Sequence, residues 1–312
     1  MDFKGKKVLV AGYGLIGTPL VKILIEEEGA NVRVASLEGA ERAHPASEFW
    51  NVDLLDFENC MKVCRGVDYV FNLLCIKGSV QAVQKYKYTF FTKNLLLEIL
   101  LFDAAIKQSV PGFLFASSLA VYPPAEVFIE DDIWKGFPSE NDWNAGWAKR
   151  MGEIQAQAAM DEFAGKITVS MVIPANTYGL FDDFDSEKAM VVPSLIKRVV
   201  RGENPFVVWG DGTQVRDLIF SEDVARGMIH IAKQEEKKPV NLGSGIGYRI
   251  RELVNVVVEN IEKKPKIVFD ASKPTGDKKR VLDISRARSL GWTPKVSLKE
   301  GIKRTTEWYK NR

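Results

Sequence analysis

Short apolar runs alternate with longer amphipathic stretches through the first half of this sequence. The runs have the length of buried strands, and the stretches carry apolar residues at helical spacing. Strands are predicted at residues 7–11, 32–35, 69–73, 113–116 and 167–172, and helices at 16–28, 91–108 and 147–163. Strands that alternate with helices form a parallel sheet with helices on both faces. The predicted fold class is therefore α/β, with a doubly wound parallel sheet.

Three glycines follow the first predicted strand. Gly12 permits a tight turn, Gly14 lets the backbone approach a phosphate, and Gly17 allows a helix to pack closely on the strand. Together with Leu15 and Ile16, and with the N-terminus of the helix that follows, they are predicted to bind the pyrophosphate of a dinucleotide. The predicted sheet is thus of the Rossmann type.

After about residue 173 the alternation of strands and helices loosens. A charged run at 182–188 interrupts it, and two further helices are predicted at 249–261 and 298–309, around a Pro/Gly/Lys-rich loop at 273–279. We expect a smaller C-terminal α/β lobe over the carboxyl ends of the strands. The predicted domains are a dinucleotide-binding domain at 1–175 with about 215–245, and a substrate lobe at 176–214 and 246–312.

Charge and rare residue types disfavour several classes of protein. The 43 basic and 41 acidic residues leave a net charge of +2, which argues against a nucleic-acid binder that relies on a bulk positive field. Cys60, Cys64 and Cys75 lack zinc-type spacing and only two histidines are present, so no metal site is expected. We expect the three cysteines to be buried, reduced thiols. Without a signal region or a span-length apolar segment, we expect no membrane association and a cytoplasmic location.

The end of the second strand bears on which dinucleotide binds. NAD-binding folds place an acidic residue there to accept hydrogen bonds from the adenosine ribose, and this chain has Ser36. A serine does not repel a 2′-phosphate, and Arg33 or Arg42 could pair with one; both could equally be solvated surface charges. We expect NAD or NADP, with a preference for NADP.

A serine motif and a lysine motif lie some thirty residues apart. Residues 115–122 end a predicted strand and contain Ser118, and residues 144–149 contain Ala145 and Lys149. With the glycine turn, these segments resemble the extended short-chain dehydrogenase/reductase family, in its nucleotide-sugar epimerase/dehydratase group. The resemblance covers essentially the whole chain, with a GDP-fucose synthase-like C-terminal lobe. It implies that Ser118 hydrogen-bonds the reacting sugar oxygen and that Lys149 binds the nicotinamide ribose.

Ala145 stands where the family carries the tyrosine of a Tyr-x-x-x-Lys motif. Residues four apart share a helix face, so the lysine ammonium lowers the phenol pKa from about 10 and makes it a usable base. Alanine exchanges no proton, and loss of a general acid/base typically costs about 10²–10⁴ in rate. We favour an inactivating, engineered Tyr-to-Ala replacement over a natural departure. Tyr122 and Tyr178 are conceivable substitutes for the base.

The resemblance implies further contacts to the cofactor and the substrate. The implied cofactor contacts are Asp53, Leu54, Leu74 and Pro174. The implied sugar-nucleotide contacts are Asn176, Val192, Arg216 and Arg280. An arginine suits a diphosphate because its planar fork matches phosphate oxygens, although Arg280 could equally belong to a solvated basic loop.

Residues that the family's other reactions need are replaced here. The Asp-Glu pair of the 4,6-dehydratases is Leu119-Ala120, and the Cys and His that GDP-fucose synthase uses in 3,5-epimerisation fall on Ala120 and about Met190. A C4 epimerase with a transient 4-keto intermediate remains, or an NADPH-dependent 4-ketoreductase. The alternative from another class is a non-catalytic sensor of a sugar nucleotide or dinucleotide. We expect a GDP- or UDP-type sugar as ligand, and a homodimer through helices 91–108 and 147–163.

Overall fold

The computed structural model describes residues 1–76, 85–185, 189–273 and 276–312. Its strands are β1 (Lys7–Ala11), β2 (Asn31–Ser36), β3 (Glu48–Asn51), β4 (Tyr69–Asn72), β5 (Gly112–Ala116), β6 (Val127–Phe128), β7 (Thr168–Pro174), β8 (Asn176–Tyr178), β9 (Phe206–Trp209), β10 (Val215–Phe220), β11 (Val240–Leu242), β12 (Gly247–Arg249), β13 (Ile267–Asp270) and β14 (Lys279–Leu282). Its α-helices are α1 (Gly17–Glu26), α2 (Phe57–Cys64), α3 (Lys87–Lys107), α4 (Trp143–Glu162), α5 (Val191–Val200), α6 (Ser221–Gln234), α7 (Ile250–Glu259), α8 (Ser285–Ser289) and α9 (Leu298–Asn311).

Seven strands form one parallel sheet in the order β11-β7-β5-β4-β1-β2-β3. Successive residues of β1 point to opposite faces, so Val8 and Val10 join one core and Leu9 joins the other. The side chains of residues 8–11 are buried on both faces of the sheet, which is why β1 is an uninterrupted apolar run and not an alternating one. The predicted doubly wound Rossmann-type sheet is confirmed.

Helices cover both faces of this sheet. The apolar sides of α1 and α6 pack on one face, and those of α2, α3 and α4 pack on the other. The carboxyl ends of β1, β4 and β5 lie side by side, because these strands are neighbours and parallel. Residues that follow these three strands therefore meet at one edge of the sheet.

A smaller lobe follows, as expected. It contains a sheet in the order β12-β10-β14-β6, with β8 beside β10, and a two-stranded sheet of β13 and β9. The helices α5, α7 and α9 share a separate hydrophobic core. The parallel pairing of β10 with β14 sets Arg216 directly opposite Arg280.

Two predicted boundaries were wrong in a way that matters for the site. Helix α4 begins at Trp143, one turn before the predicted start, so Ala145 lies inside its first turn. The predicted loop at 273–279 ends in the first residue of β14, and its residues 274 and 275 lie outside the described residues. Residues 186–188 of the predicted charged run also lie outside them.

Candidate active site and phosphate-binding site

The glycine turn has the shape that close approach of a phosphate requires. Gly12 adopts φ +99°, and a Cβ on Gly17 would lie 2.1 Å from the carbonyl oxygen of Gly12. These two glycines are needed by the protein itself. Gly14 is exposed, and apart from its two neighbours in the chain no heavy atom of the described residues lies within 4 Å of where its Cβ would be, so this side can take a ligand. Leu15 is buried and Ile16 half-buried behind the turn. The cradle fits a dinucleotide pyrophosphate.

The two arginines considered for a 2′-phosphate differ in their surroundings. Arg33 is buried; it donates to the carbonyls of Val63 and Arg65 and pairs with Glu48, so it is neither a ligand of a phosphate nor a solvated surface charge. Arg42 is partly exposed and donates to the carbonyl of Tyr13 at 2.8 Å.

Ser36 lies at the end of β2, next to the glycine turn. Its Oγ accepts hydrogen bonds from the backbone N–H groups of Tyr13, at 3.4 Å, and Glu38, at 3.3 Å. Arg42 reaches the same Tyr13, so Ser36 and Arg42 meet beside the turn, where an adenosine ribose would lie. This arrangement keeps Arg42, and not Arg33, as the candidate partner of a 2′-phosphate.

The other implied cofactor residues lie at the ends of their strands. Asp53 is exposed after β3, and its carboxylate accepts from the N–H of Leu55. The side chain of Leu54 belongs to the hydrophobic core, so only its backbone is available to a ligand. Leu74 is half-buried after β4, and Pro174 is half-buried at the end of β7.

The vacant base position lies against the serine turn. Ser118 begins a 3-10 turn at Leu119–Val121, and its Oγ accepts from the N–H of Ala120 at 3.2 Å. A Cβ on Gly146 would lie 2.3 Å from the carbonyl oxygen of Ala120. The first turn of α4 therefore packs directly on the serine turn, and half-buried Ala145 immediately precedes Gly146 in this turn.

Lys149 is surrounded by protein oxygens. Only 4% of this residue is exposed. Its Nζ lies 2.7 Å from Oε1 of Glu98, 2.9 Å from the carbonyl oxygen of Ala116 and 3.4 Å from that of Leu74. An ammonium has three N–H donors, and three oxygens lie around this one. A ligand that binds Lys149 must share or displace one of them, and Leu74 is the most distant.

Glu98 was not identified from the sequence, although a signal was present. It is the one charged residue within the apolar run at 95–102 of α3, and it is 1% exposed. A charge in such a run needs a buried partner. Burial raises the pKa of Glu98. Burial is the largest influence on the pKa of Lys149 and would lower it, but the Glu98 carboxylate, Cys75 and Glu153 together outweigh burial, and the pKa of Lys149 is raised.

Glu153 is a second buried carboxyl group, one turn after Lys149 on α4. Burial raises its pKa to about 7, although the hydroxyl of Ser117 donates to its Oε1 at 2.6 Å and opposes the shift. This bond explains the first serine of the motif: Ser117 ties β5 to α4. Ser118 is left to face outward.

The two tyrosines considered as substitute bases are structural. Tyr122 is buried and donates to Oδ1 of Asn241 at 2.6 Å, and Tyr178 is buried and donates to the carbonyl of Leu298. Burial raises the pKa of both phenols. Neither can readily form a phenolate. Ala120 is buried and Met190 is an exposed residue before α5; neither side chain can move a proton.

Arg216 and Arg280 form a cationic pair in the lobe. Arg216 donates to the carbonyl oxygens of Val215, at 2.8 Å, and Asp277, at 2.7 Å. Arg280 contacts the carboxylate of Asp142 and lies 3.2 Å from that of Asp277. Because Asp142 immediately precedes α4, the pair is linked to the helix that carries Ala145 and Lys149.

Two implied substrate residues lie near this pair in the lobe. Asn176 in β8 donates to the carbonyl oxygen of Asp217 in β10, one residue after Arg216. Val192 is 2% exposed and its side chain belongs to the core of the lobe, so a contact to a ligand would have to come from its backbone.

The cysteines differ from one another. Cys60 and Cys64 are buried, and burial raises the pKa of each to about 12, but Cys75 is exposed, so the expectation of three buried thiols was wrong for it. The described ranges hold no group of three or more His, Cys, Asp or Glu placed to bind a metal ion. None of the helices in those ranges is long and apolar enough to span a bilayer.

A Rossmann-type sheet with a glycine cradle, a serine turn and a buried lysine at adjoining strand ends defines a dinucleotide-binding protein of the short-chain dehydrogenase/reductase kind. The sequence model of the NAD dependent epimerase/dehydratase family matches residues 8–243, and the chain belongs to that family. Its relatives are epimerases and reductases of nucleotide sugars that use a nicotinamide dinucleotide.

Individual relatives extend this likeness over the whole chain. GDP-L-fucose synthase 1 of Arabidopsis thaliana is 30% identical over 318 residues, covering 99% of this chain and 94% of its own. The structure of UDP-glucose 4-epimerase with UDP-glucose from Thermotoga maritima is similar with a TM-score of 0.85 at 27% identity, covering 98% of this chain and 99% of its own. UDP-glucose 4-epimerase of Thermus thermophilus in complex with NAD has a TM-score of 0.84 at 25% identity, covering 97% and 99%.

Proposed function

We propose that the protein is an NAD(P)-dependent epimerase of nucleoside-diphosphate sugars that acts at C4 through a transient 4-keto intermediate, in a form that lacks its base. The observation that carries the proposal is the meeting of the glycine turn, the Ser118 turn and Lys149 at the adjoining ends of β1, β5 and β4. A similar structure holding UDP-glucose supports a sugar nucleotide as the ligand.

Residues of this chain divide the work between substrate and cofactor. Ser118 Oγ hydrogen-bonds the C4 oxygen, and Arg216 and Arg280 bind the diphosphate. The glycine turn and the Ser36 end of β2 hold the dinucleotide, with Lys149 at its nicotinamide ribose. When bound, the dinucleotide accepts hydride from C4 and returns it to the other face of the sugar. The proton of the C4 hydroxyl has no acceptor at Ala145, so turnover is slow.

Ala120 and Met190 stand at the positions where relatives that act at C3 and C5 carry an acid and a base. This argues against stereochemical change at C3 or C5. Both changes require proton removal from carbon next to a carbonyl, and neither side chain titrates. Chemistry at one carbon remains. The two replacements thus support C4 over the 3,5-epimerisation of some relatives.

Two alternatives have an observation in their favour. An NADPH-dependent 4-ketoreductase is favoured by the position of Arg42, which contacts the same Tyr13 as Ser36. The last residue of β2 is a serine and not a carboxylate, although Glu41 pairs with Arg42 at 2.8 Å and would share this cation with a 2′-phosphate. A non-catalytic sensor is favoured by Lys149, whose three donors already have protein oxygens around them, and by Ala145.

Product formation by the Ala145→Tyr variant tests the proposal. The variant is incubated with UDP-, GDP- and CDP-sugars without reduced cofactor, and NMR follows the sugar. Ala145→Phe is the matched control, since it restores the ring without the hydroxyl. We expect a C4 epimer from Ala145→Tyr alone. Consumption of NADPH with 4-keto sugars, and no epimer, would support the reductase; binding without chemistry in both assays would support the sensor.

We also propose a cytoplasmic homodimer. Helices α3 and α4 pack on one another and leave Leu96 and Ile154 exposed, 40% and 48% respectively, which gives an apolar face for a second copy. Cys60 and Cys64 are free thiols, in keeping with a reducing compartment. Sedimentation of the chain and of a Leu96→Glu/Ile154→Glu variant tests the dimer: the variant is expected to be a monomer.

A further inference from the structure

The carboxylates around the arginine pair are unevenly distributed. Arg280 has two: Oδ2 of Asp142 contacts its Nη2, and Oδ2 of Asp277 lies 3.2 Å from its Nε. Arg216 makes its hydrogen bonds to backbone carbonyl oxygens and has no ion pair within the described residues. Arg280 is therefore neutralised by two carboxylates, while the charge of Arg216 remains available to a ligand.

The two guanidinium groups act on one another. Burial and the charge of Arg280 both lower the pKa of Arg216. Arg280 Nε is buried and, within the part of the chain that the structure describes, makes no hydrogen bond of good geometry despite its ion pair. The Asp277 carboxylate thus holds Nε by charge without a hydrogen bond of good geometry, whereas the Asp142 carboxylate accepts a hydrogen bond from Nη2. An anion that hydrogen-bonds both Nε and Nη2 can replace the two carboxylates.

Both aspartates are attached to the segment that leads into α4. Asp142 accepts from the hydroxyl of Ser139 at 3.2 Å, and its side chain does not cap the helix. Oδ1 of Asp277 accepts from Nδ2 of Asn141 at 3.3 Å. The carboxylates therefore have polar partners other than Arg280, which remain when an anion takes their place.

We propose that Asp142 and Asp277 are internal competitors for Arg280 that set how strongly the site prefers a diphosphate over a monophosphate. The inference rests on the proposed function, because it assigns the arginine pair to the diphosphate of a sugar nucleotide. One phosphate binds at Arg216 without displacing a carboxylate that is bonded to it. The second phosphate must displace two carboxylates from Arg280, so the aspartates weaken binding of the second phosphate selectively.

Nucleotides without a sugar test this directly. Calorimetric titrations compare UDP with UMP and GDP with GMP on the unaltered protein and on Asp142→Asn and Asp277→Asn, which keep the side-chain shape. The nucleoside is the same within each pair, so its contribution cancels in the ratio. We expect each variant to bind the diphosphate about tenfold more tightly, as close charge pairs allow, and the monophosphate less than about threefold more tightly.

Two controls separate local competition from overall charge. Asp131→Asn removes the same charge from an Arg–Asp pair elsewhere, with Arg286, and is expected to leave both affinities unchanged within about twofold. In an Arg280→Gln background, Asp142→Asn is expected to lose its effect on the diphosphate.

Four results would overturn the inference. Equal tightening of mono- and diphosphate would make the effect one of general charge, and weaker diphosphate binding by the asparagine variants would make the aspartates supports of Arg280. If Asp142→Asn still tightened diphosphate binding in the Arg280→Gln background, Asp142 would not be competing for Arg280. If neither the unaltered protein nor the variants bind any of the four nucleotides, both the proposed function and the inference fail. If the diphosphates bind but neither asparagine variant changes their affinity, only the inference fails.

Discussion

Lys149 and Arg280 both pair with carboxylates, but their partners come from different kinds of place. The partners of Lys149 are a glutamate that is 1% exposed and two backbone carbonyls, and the glutamate cannot leave without opening the core. The partners of Arg280 are aspartates on connecting segments, each with another polar contact. The position of Lys149 is fixed by folding, whereas Arg280 can exchange its carboxylate partners for a ligand.

Stability separates the two regions most strongly. Glu98→Leu leaves the buried Lys149 without a counter-ion, and loss of one partner of a buried pair costs about 3–5 kcal/mol. Asp277→Asn removes a carboxylate that is 35% exposed and should cost less than about 1 kcal/mol. Urea unfolding measures both. The double variant Glu98→Leu/Lys149→Met should regain most of the loss; equal losses in the two single variants would contradict the distinction.

The pH dependence of stability tests the buried side of the comparison. The pKa of Glu153 rises from 4.5 to about 7 on folding, so its contribution to stability is complete below pH 4.5 and is lost as the pH rises through 7. At 1.36 kcal/mol per pH unit this amounts to about 3 kcal/mol. Glu153→Gln removes the contribution. Between acid and neutral pH the free energy of unfolding of the variant should therefore increase relative to that of the unaltered protein. Urea titrations at several pH values measure this difference. If the two proteins show the same pH dependence, the assignment is contradicted.

The glycine turn extends the comparison to the cofactor. Gly17→Ala places a Cβ 2.1 Å from the Gly12 oxygen and should destabilise the fold, whereas Gly14→Ala meets no protein atom. The Gly14 variant should unfold like the unaltered protein but bind NAD and NADP about tenfold more weakly, since overpacking against a ligand costs about 1–3 kcal/mol. Fluorescence titration of the reduced cofactors measures this. Unchanged affinity would place the pyrophosphate elsewhere.

The smallest expected effect concerns the choice of dinucleotide. Arg42 is partly exposed, so a contact from it to a 2′-phosphate should be worth no more than about 1 kcal/mol. Arg42→Gln should weaken NADPH binding about fivefold and leave NADH binding unchanged. An equal change for both cofactors would show that Arg42 supports the turn through Tyr13 and does not read the phosphate.

The sequence predicted what depends on neighbours along the chain. β1 matches its predicted bounds because a run buried on both faces needs only its own apolar residues, and the glycine turn follows it directly. The pairing of Lys149 with Glu98 joins residues on two helices, and Asp142 reaches Arg280 from a segment 138 residues away. Such partners are set by packing between elements, which no local pattern records. β6 was missed because two residues carry no period.

The most direct test of the central claim compares turnover and affinity in the same two proteins, the unaltered chain and Ala145→Tyr. Affinities for the dinucleotide and for the sugar nucleotide come from calorimetry, and turnover comes from NMR. We predict affinities that agree within a few-fold and turnover at least about 100-fold faster with the tyrosine, the range expected for a restored general acid/base. Equal turnover in the two proteins would show that another group transfers the proton and would contradict the account.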